Sequence, residues 1–344
     1  MKYPAPLIAG STIGVTAFSS GISEAHESRY QFVLEYFNSL QFRVIEGNCL
    51  RGQSKHVSAC AEERASELMQ FLMDDEIDAI APPWGGELAM ELLPYLDFEK
   101  LANAKPKWIL GFSDISTITS VVTSRLGWAT VHCSNLMDLT QNATDPLVST
   151  TLTHLSQNEG ESFTQFASEK HTKTWPPITE NPQAILECNI NTKWKWLVKP
   201  ESGYCLEGRL LGGCWDTLHH LFNTEYLDLN AFAKKAPKGI LLYLENAEMP
   251  PVELARAILN MKFRHVFSSV NGILIGRNCA KDASNQNELS YLEVLERHLG
   301  NLGIPVIYDM DIGHVPPNLT LINGAVAKVT LDERGAGAID QTLI

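Results

Sequence analysis

Three side chains far apart in the chain have the types that acyl transfer requires: the hydroxyl of Ser113 in GFSD, the carboxyl of Glu245 at the end of KGILLYLEN, and the imidazole of His314 in DMDIGHVPP. A serine hydroxyl becomes a nucleophile only with a base within hydrogen-bond reach, and that base needs an acceptor to fix its tautomer. Ser113 follows the apolar run WIL and precedes a helical pattern, so a strand-turn-helix bend would lift its hydroxyl above a sheet. The same position suits the N-cap of the following helix, and GFSDI departs from G-x-S-x-G, so both roles stay open. Glu245 closes an apolar run, where a carboxylate is costly to bury unless it is paired or faces a cleft; a solvated strand end is the alternative. His314 sits between an apolar strand and a double proline, on a stiffened loop, where a surface turn histidine is the plainer alternative.

An acyl-transfer site also needs donors for the developing oxyanion. Gly85 and Gly86 in PPWGGE lie between a strand and a helix, where backbone N–H groups stand free and unshielded by a Cβ. They offer half of such a hole, and the N–H of Asp114, next to the nucleophile candidate, offers the other half. A double glycine is also a common turn. His219 and His220 read as packing or surface residues. With no HExxH, Walker A loop or GxGxxG, neither a metal nor an organic cofactor is expected.

The elements that must position these groups follow from periodicity. TIGVTAF, FRVIEG, IDAIAPP, KWILGFS and ATVHCSN read as strands. Helical patterns in SRYQFVLEYFNSL, SACAEERASELMQFLMDD, ELAMELLPYL and DISTITSVVTSRLG alternate with them, the last ended by Gly127. Alternation of this kind predicts an α/β fold with an N-terminal parallel sheet. A polar, Thr-, Asn- and Pro-rich stretch carries Trp175, Trp194 and Trp196 and reads as a connection. Beyond it, β-type runs interleaved with helices predict a smaller C-terminal α+β domain. The expected division is 1–165 for the domain with Ser113, 166–195 for the linker, and 196–344 for the domain with Glu245 and His314.

Composition bounds the partners. The 344 residues are 44% hydrophobic and 19% charged, with a net charge of -13, which argues against nucleic acid or an anionic membrane and for a small substrate. No apolar run approaches the ~20 residues that span a bilayer. No leader peptide is legible in MKYPAPLIAGSTIG, so a cytoplasmic location is expected. Seven widely spaced cysteines without a CxxC suggest free thiols.

The blocks STIGVTAFSSG, PPWGGELAMELLPYLDFE, PKWILGFSDIST, LEGRLLGGCWDTLHHLFNTEYL, KGILLYLENAEMPPVELARAI, VNGILIGR and DIGHVPPNLTLINGAVAKVTLD run through nearly the whole chain. In that order they resemble the LD-carboxypeptidase and microcin-immunity family of serine peptidases, whose members use a Ser, Glu and His triad. The resemblance implies Ser113 as nucleophile, His314 as general base and then acid, Glu245 as its orienting partner, and Gly86 and Asp114 as oxyanion donors. It further implies Trp84, Gly85 and Arg277 as substrate-binding residues, an active site between two domains, and a homodimer.

One branch of the family trims the terminal D-amino acid from murein tetrapeptides; the other hydrolyses aminoacyl-nucleotide amides and gives antibiotic self-immunity. The second branch often has an acidic residue just after G-[KR] of the GILIGR strand. Here Arg277 is followed by Asn278 and Cys279, with Asp282 the nearby acid, and Glu87 stands where the family usually has a neutral group. The three tryptophans suit stacking on a flat ring or a domain-interface core. A binding module of the same fold, without turnover, is the second functional hypothesis; it has no need for all three triad side chains.

Overall fold

The computed structural model describes residues 1–201 and 203–344. Strands β1 (Thr12–Val15), β2 (Arg43–Glu46), β3 (Ala79–Ile80) and β4 (Trp108–Ile109) form a parallel sheet in the order β2-β1-β3-β4. A parallel bridge from Leu110 to Val131 adds β5 (Thr130–His132) at its edge. The helices Glu27–Ser39 and Ala61–Met73 flank this sheet, as expected from their apolar spacing. The pattern ELAMELLPYL instead forms a 3-10 helix, Ala89–Tyr95, with Pro94 inside it, because proline removes the N–H that an α-helical ladder needs.

The remaining strands are β6 (Ser162–Phe166), β7 (Lys170–His171), β8 (Ile190–Asn191), β9 (Lys195–Val198), β10 (Cys205–Cys214), β11 (Ile240–Glu245), β12 (Val270–Gly276), β13 (Val306–Met310), β14 (Leu321–Asn323), β15 (Val326–Leu331) and β16 (Gly337–Thr342). Eight of them make one mixed sheet, β6-β16-β15-β10-β11-β12-β13-β9, parallel from β10 to β13 and antiparallel towards both edges. The sequence boundary expected at 165 falls inside β6, which pairs with β16 of the C-terminal sheet. The two halves are stitched together by β14, which runs antiparallel to β5.

Between the sheets lies the helix Ile115–Leu126, and Ile115 to Ser124 are all buried. Its run of Ser and Thr can be buried because their short hydroxyls find partners. Ser120 Oγ donates to Gly212 O at 2.6 Å, Ser116 Oγ accepts from Cys214 N at 3.0 Å, and Thr123 and Thr130 share a hydrogen bond of 2.9 Å. Its apolar residues Ile118, Val121 and Val122 join one core with Leu68, Trp215 and Leu242, so residues of both halves pack on the element that follows Ser113.

The helix ends at Gly127, which has φ +71 and whose N–H bonds Thr123 O at 3.0 Å. A Cβ there would meet nothing nearer than Lys235 Nζ at 3.5 Å, so an alanine would fit in space but not in backbone conformation. Gly127→Ala should therefore cost about 1 kcal/mol in denaturant unfolding, the usual penalty of the left-handed region, and leave the pocket around Ser113 unchanged. A loss near zero would show that the cap does not depend on that conformation.

Candidate active site

All three chemically suggestive residues lie at or just beyond the C-terminal ends of parallel strands, where side chains of an α/β sheet converge on a crevice. Ser113 follows β4 through Gly111, at φ +128, and Phe112, whose N–H donates to Asn135 Oδ1 at 2.9 Å. Ser113 itself has φ +67. A non-glycine residue held there is strained, and strain at a strand-to-helix bend is what exposes a hydroxyl instead of turning it back on the helix. Asp114, not Ser113, occupies the N-cap position, and the Ser113 side chain makes no capping bond. The cap reading of Ser113 is thereby set aside.

The hydroxyl of Ser113 lies 3.0 Å from His314 Nε2, and His314 Nδ1 lies 2.8 Å from Glu245 Oε2. A carboxyl oxygen accepts, so Nδ1 carries the proton and Nε2 is left to accept from the serine O–H. Glu245 ends β11 with no exposed surface, and its other oxygen has no partner among the described residues. Gly313, at φ +94, packs against that carboxyl group so closely that a Cβ would collide with it. The turn after Glu245 is fixed by Asp216, whose carboxylate accepts from the N–H groups of Ala247, Glu248 and Met249 at 2.9 to 3.2 Å.

Burial opposes charge on His314, but the carboxylate of Glu245 outweighs it, with Asp216 and Glu248 adding to the field, and the imidazole is held above its ordinary 6.5. A second histidine behaves oppositely. His132, fully buried behind Phe112, has no partner for either nitrogen among the described residues, and burial followed by repulsion from His314 pulls it down to about 3. It stays neutral, so His314 is the imidazole that can carry a proton here.

Gly85 lies over the nucleophile: a Cβ on it would stand 2.7 Å from Ser113 Cβ and 2.8 Å from both Ser113 Oγ and Asp114 N. Gly86 follows at φ +137, and Ser19 Oγ anchors the turn by accepting from Glu87 N at 3.0 Å and Leu88 N at 2.9 Å. Neither the N–H of Gly86 nor that of Asp114 donates to another described residue. The Asp114 carboxyl is buried, accepts from Ala89 N at 2.8 Å, and is raised above its usual range by burial. It ties the glycine turn to the nucleophile turn.

These groups open into a cavity of about 460 Å³. Trp84, Gly85, Gly86, Ser113 and His314 line it, together with Phe112, which the sequence did not single out, and Trp175, one of the three tryptophans read as ring-stacking or core. Trp175 stacks on Phe112 with ring centroids 6.1 Å apart and planes at 15°, and Phe112 meets His314 edge-on at 5.0 Å. Trp194, by contrast, is core, 1% exposed, and Trp196 is half-buried with its Nε1 on Leu331 O. Arg277 does not reach the cavity: its side chain is buried in an ion pair with Asp311 at 2.8 Å and bonds backbone carbonyls beyond His314. The expected substrate-binding role of Arg277 therefore has no support from the cavity around Ser113; the residue borders a separate cavity of about 550 Å³ with Asn278, Cys279 and Asp282. Asp311 was missed altogether; its one sequence signal is an acid three residues before a histidine.

Among the described residues no group of three or more His, Cys, Asp or Glu is placed to hold a metal ion, and no helix is long and apolar enough to cross a membrane. His219 and His220 lie against each other with centroids 3.8 Å apart.

Comparison with known proteins matches residues 13–133 to the LD-carboxypeptidase N-terminal domain and 207–329 to the LD-carboxypeptidase C-terminal domain. The chain is 25% identical to the microcin C7 self-immunity protein MccF of Escherichia coli, over 98% of this chain and 96% of that one. It is also 25% identical to the Bacillus subtilis protein named "Probable murein peptide carboxypeptidase", over 97% and 93%. The fold superposes on MccF in complex with glutamyl sulfamoyl guanosine with a TM-score of 0.82, at 23% identity and 98% coverage of both chains. An MccF-like protein from Streptococcus pneumoniae in complex with AMP gives a TM-score of 0.76 at 24% identity, covering 97% of this chain and 99% of the other. With both halves matched in order and a Ser, His and Glu brought together where they meet, the chain belongs to the LD-carboxypeptidase family of peptidases, which includes the microcin-immunity type.

Proposed function

We propose that this protein is a serine amide hydrolase that works through an acyl-enzyme. The single observation that carries the reading is the unbroken hydrogen-bonded line from Ser113 Oγ through His314 to the buried Glu245. In the forward step His314 Nε2 takes the hydroxyl proton as Oγ attacks the amide carbonyl, and the carbonyl oxygen gains negative charge facing the N–H groups of Gly86 and Asp114. Collapse breaks the C–N bond, and His314 returns its proton to the leaving nitrogen. Water then attacks the ester with His314 again as base, releasing the acid and restoring Ser113. Glu245 orients the ring and stabilises the imidazolium formed in each half-reaction. A non-catalytic binder would have no use for the strained φ of Ser113.

Of the two substrate branches, the cavity favours the aminoacyl-nucleotide amide. Among the described residues no Lys or Arg lines it, so a substrate's terminal carboxylate, which a carboxypeptidase must hold, would find no permanent cation there. What lines it instead are the rings of Trp84 and Trp175, the second backed by Phe112, which suit a flat ring on the leaving side. Relatives have been solved with glutamyl sulfamoyl guanosine and with AMP, each of which carries a flat purine ring. Seven free thiols agree with work in the reducing cytoplasm.

Ser113→Ala should abolish amide hydrolysis and labelling by a fluorophosphonate, with little change in melting temperature; turnover retained by this variant would overturn the assignment. Hydrolysis should be lost as pH falls through a midpoint above 6.5, since His314 must be unprotonated to accept and its proton is held more tightly than usual. Glu245→Gln should lower kcat by about 10³-fold or more through the wrong ring tautomer, measured in the same assay.

The substrate branch is decided by offering a murein tetrapeptide and an aminoacyl sulfamoyl adenosine side by side and analysing products. We expect cleavage of the second. Trp175→Ala should then raise its KM roughly tenfold, from the ~1–3 kcal/mol that one stacked base contributes, while kcat changes little. Cleavage of the tetrapeptide alone would assign the protein to murein trimming.

A further inference from the structure

We propose that Arg277 and Asp311 are positioning residues, a buried pair that holds the loop of His314 so that its imidazole spans Ser113 and Glu245. The proposal rests on the triad reading above for its consequence in catalysis, but not for its geometry. Ser113 stands on a bend braced by the helix Ile115–Leu126 and Glu245 within a strand, whereas His314 lies four residues past the end of β13, in a loop with no strand partner of its own. Something else must fix it. Arg277, just after β12, donates from Nε and Nη2 to Val315 O at 3.1 and 2.8 Å, and from Nη2 to Pro317 O at 3.1 Å. Its Nη1 donates to Asp311 Oδ1 at 2.8 Å. The guanidinium thus grips the loop on both sides of the histidine, three residues before it and one and three residues after.

Asp311 extends the grip. Its carboxylate also accepts from Trp194 Nε1 at 2.8 Å and from Ser168 N at 3.0 Å, so the segment that carries Trp175 is tied at both flanks to the same loop. Both members are buried, Asp311 completely and Arg277 to 5% exposure. A buried ion pair contributes little net stability against an apolar pair of equal volume. The planar fork, however, can satisfy a carboxylate and two carbonyls at fixed angles, which the single ammonium of lysine cannot do. Neither residue lines the cavity that Ser113 opens into. Their role is therefore geometric.

The test is Arg277→Lys, which keeps the charge and removes the fork. The groups that act on His314 are Glu245 in contact, Asp216 and Glu248 through space, and the neutral His132 behind Phe112, all of which the substitution leaves in place. NMR titration of the labelled imidazole, assigned by its loss in His314→Asn, reads the His314–Glu245 pairing directly. We expect the midpoint to fall by about one pH unit as the ring drifts from the carboxylate. Active-site-titrated kcat should fall about 10- to 100-fold, with KM within about twofold and the acid limb of the rate profile moving to lower pH.

A folded Arg277→Lys with an unmoved midpoint overturns the proposal. If that variant does not fold, Arg277→Met combined with Asp311→Leu removes both buried charges at once; it should show the same fall, and wild-type kcat in it overturns the proposal. The imidazole titration does not depend on turnover, so failure of the pair and failure of the hydrolase reading are told apart, the latter by Ser113→Ala.

Discussion

Glu245 is a carboxyl group with no exposed surface at the centre of an eight-stranded sheet, and an interior acid must be given a partner. The partner is His314, at 2.8 Å, and much of the molecule serves that one contact. β11 delivers the acid at its C-terminal end, where the strand no longer needs an apolar side chain. Gly313 has no Cβ because the carboxyl group occupies its place. Asp216 pins the turn that follows. Once the imidazole is committed to Glu245 through Nδ1, its other nitrogen has one direction left, and Ser113 stands there.

Bringing the serine to that point is the work of the other half. The helix after Ser113 is wedged between the two sheets, and a helix buried on all sides has to be smooth. ISTITSVVTS meets this with β-branched and small hydroxylated residues, their hydroxyls bonded to the helix's own turns, to β10, to Thr130 of β5 or to Asp228 O. Gly213 on β10 lets it approach, since a Cβ there would overlap Ser116. The distance between nucleophile and base is thus set by packing that spans both halves, backed by the pairing of β14 with β5. Separate motion of the halves would have to break that shared core.

The sequence made the triad candidates legible because each sits where an apolar strand pattern stops and a chemically active residue follows. The same rule found the glycine turn. It did not tell which way Arg277 would face, since a cation after a strand announces charge but not direction, and the guanidinium bonds the loop of His314. It also failed to separate Trp175 from Trp194, which lie within one polar stretch; only the fold shows that Trp194 is anchored on Asp311 while Trp175 reaches the cavity. The stretch from 166 to 195 looked like a linker because its strands are two to five residues long and lie at sheet edges, where alternation is too short to register.

That polar stretch has a consequence for the chemistry. An edge segment has few apolar contacts to hold it, yet it supplies Trp175 to the cavity wall. Arg29 compensates from the first half: buried beneath the segment, it donates to Pro182 O at 2.7 Å and Ala184 O at 2.8 Å, and to Met137 O at 2.8 Å on the cavity side. From the second half, Asp311 takes Ser168 and Trp194 at the segment's two ends. Backbone carbonyls and a carboxylate, held by two buried guanidiniums, do here what a hydrophobic core does elsewhere. With both guanidiniums committed to carbonyls and to Asp311, no Lys or Arg among the described residues lines the cavity, whose wall carries Trp84, Trp175, His26 and Asp138.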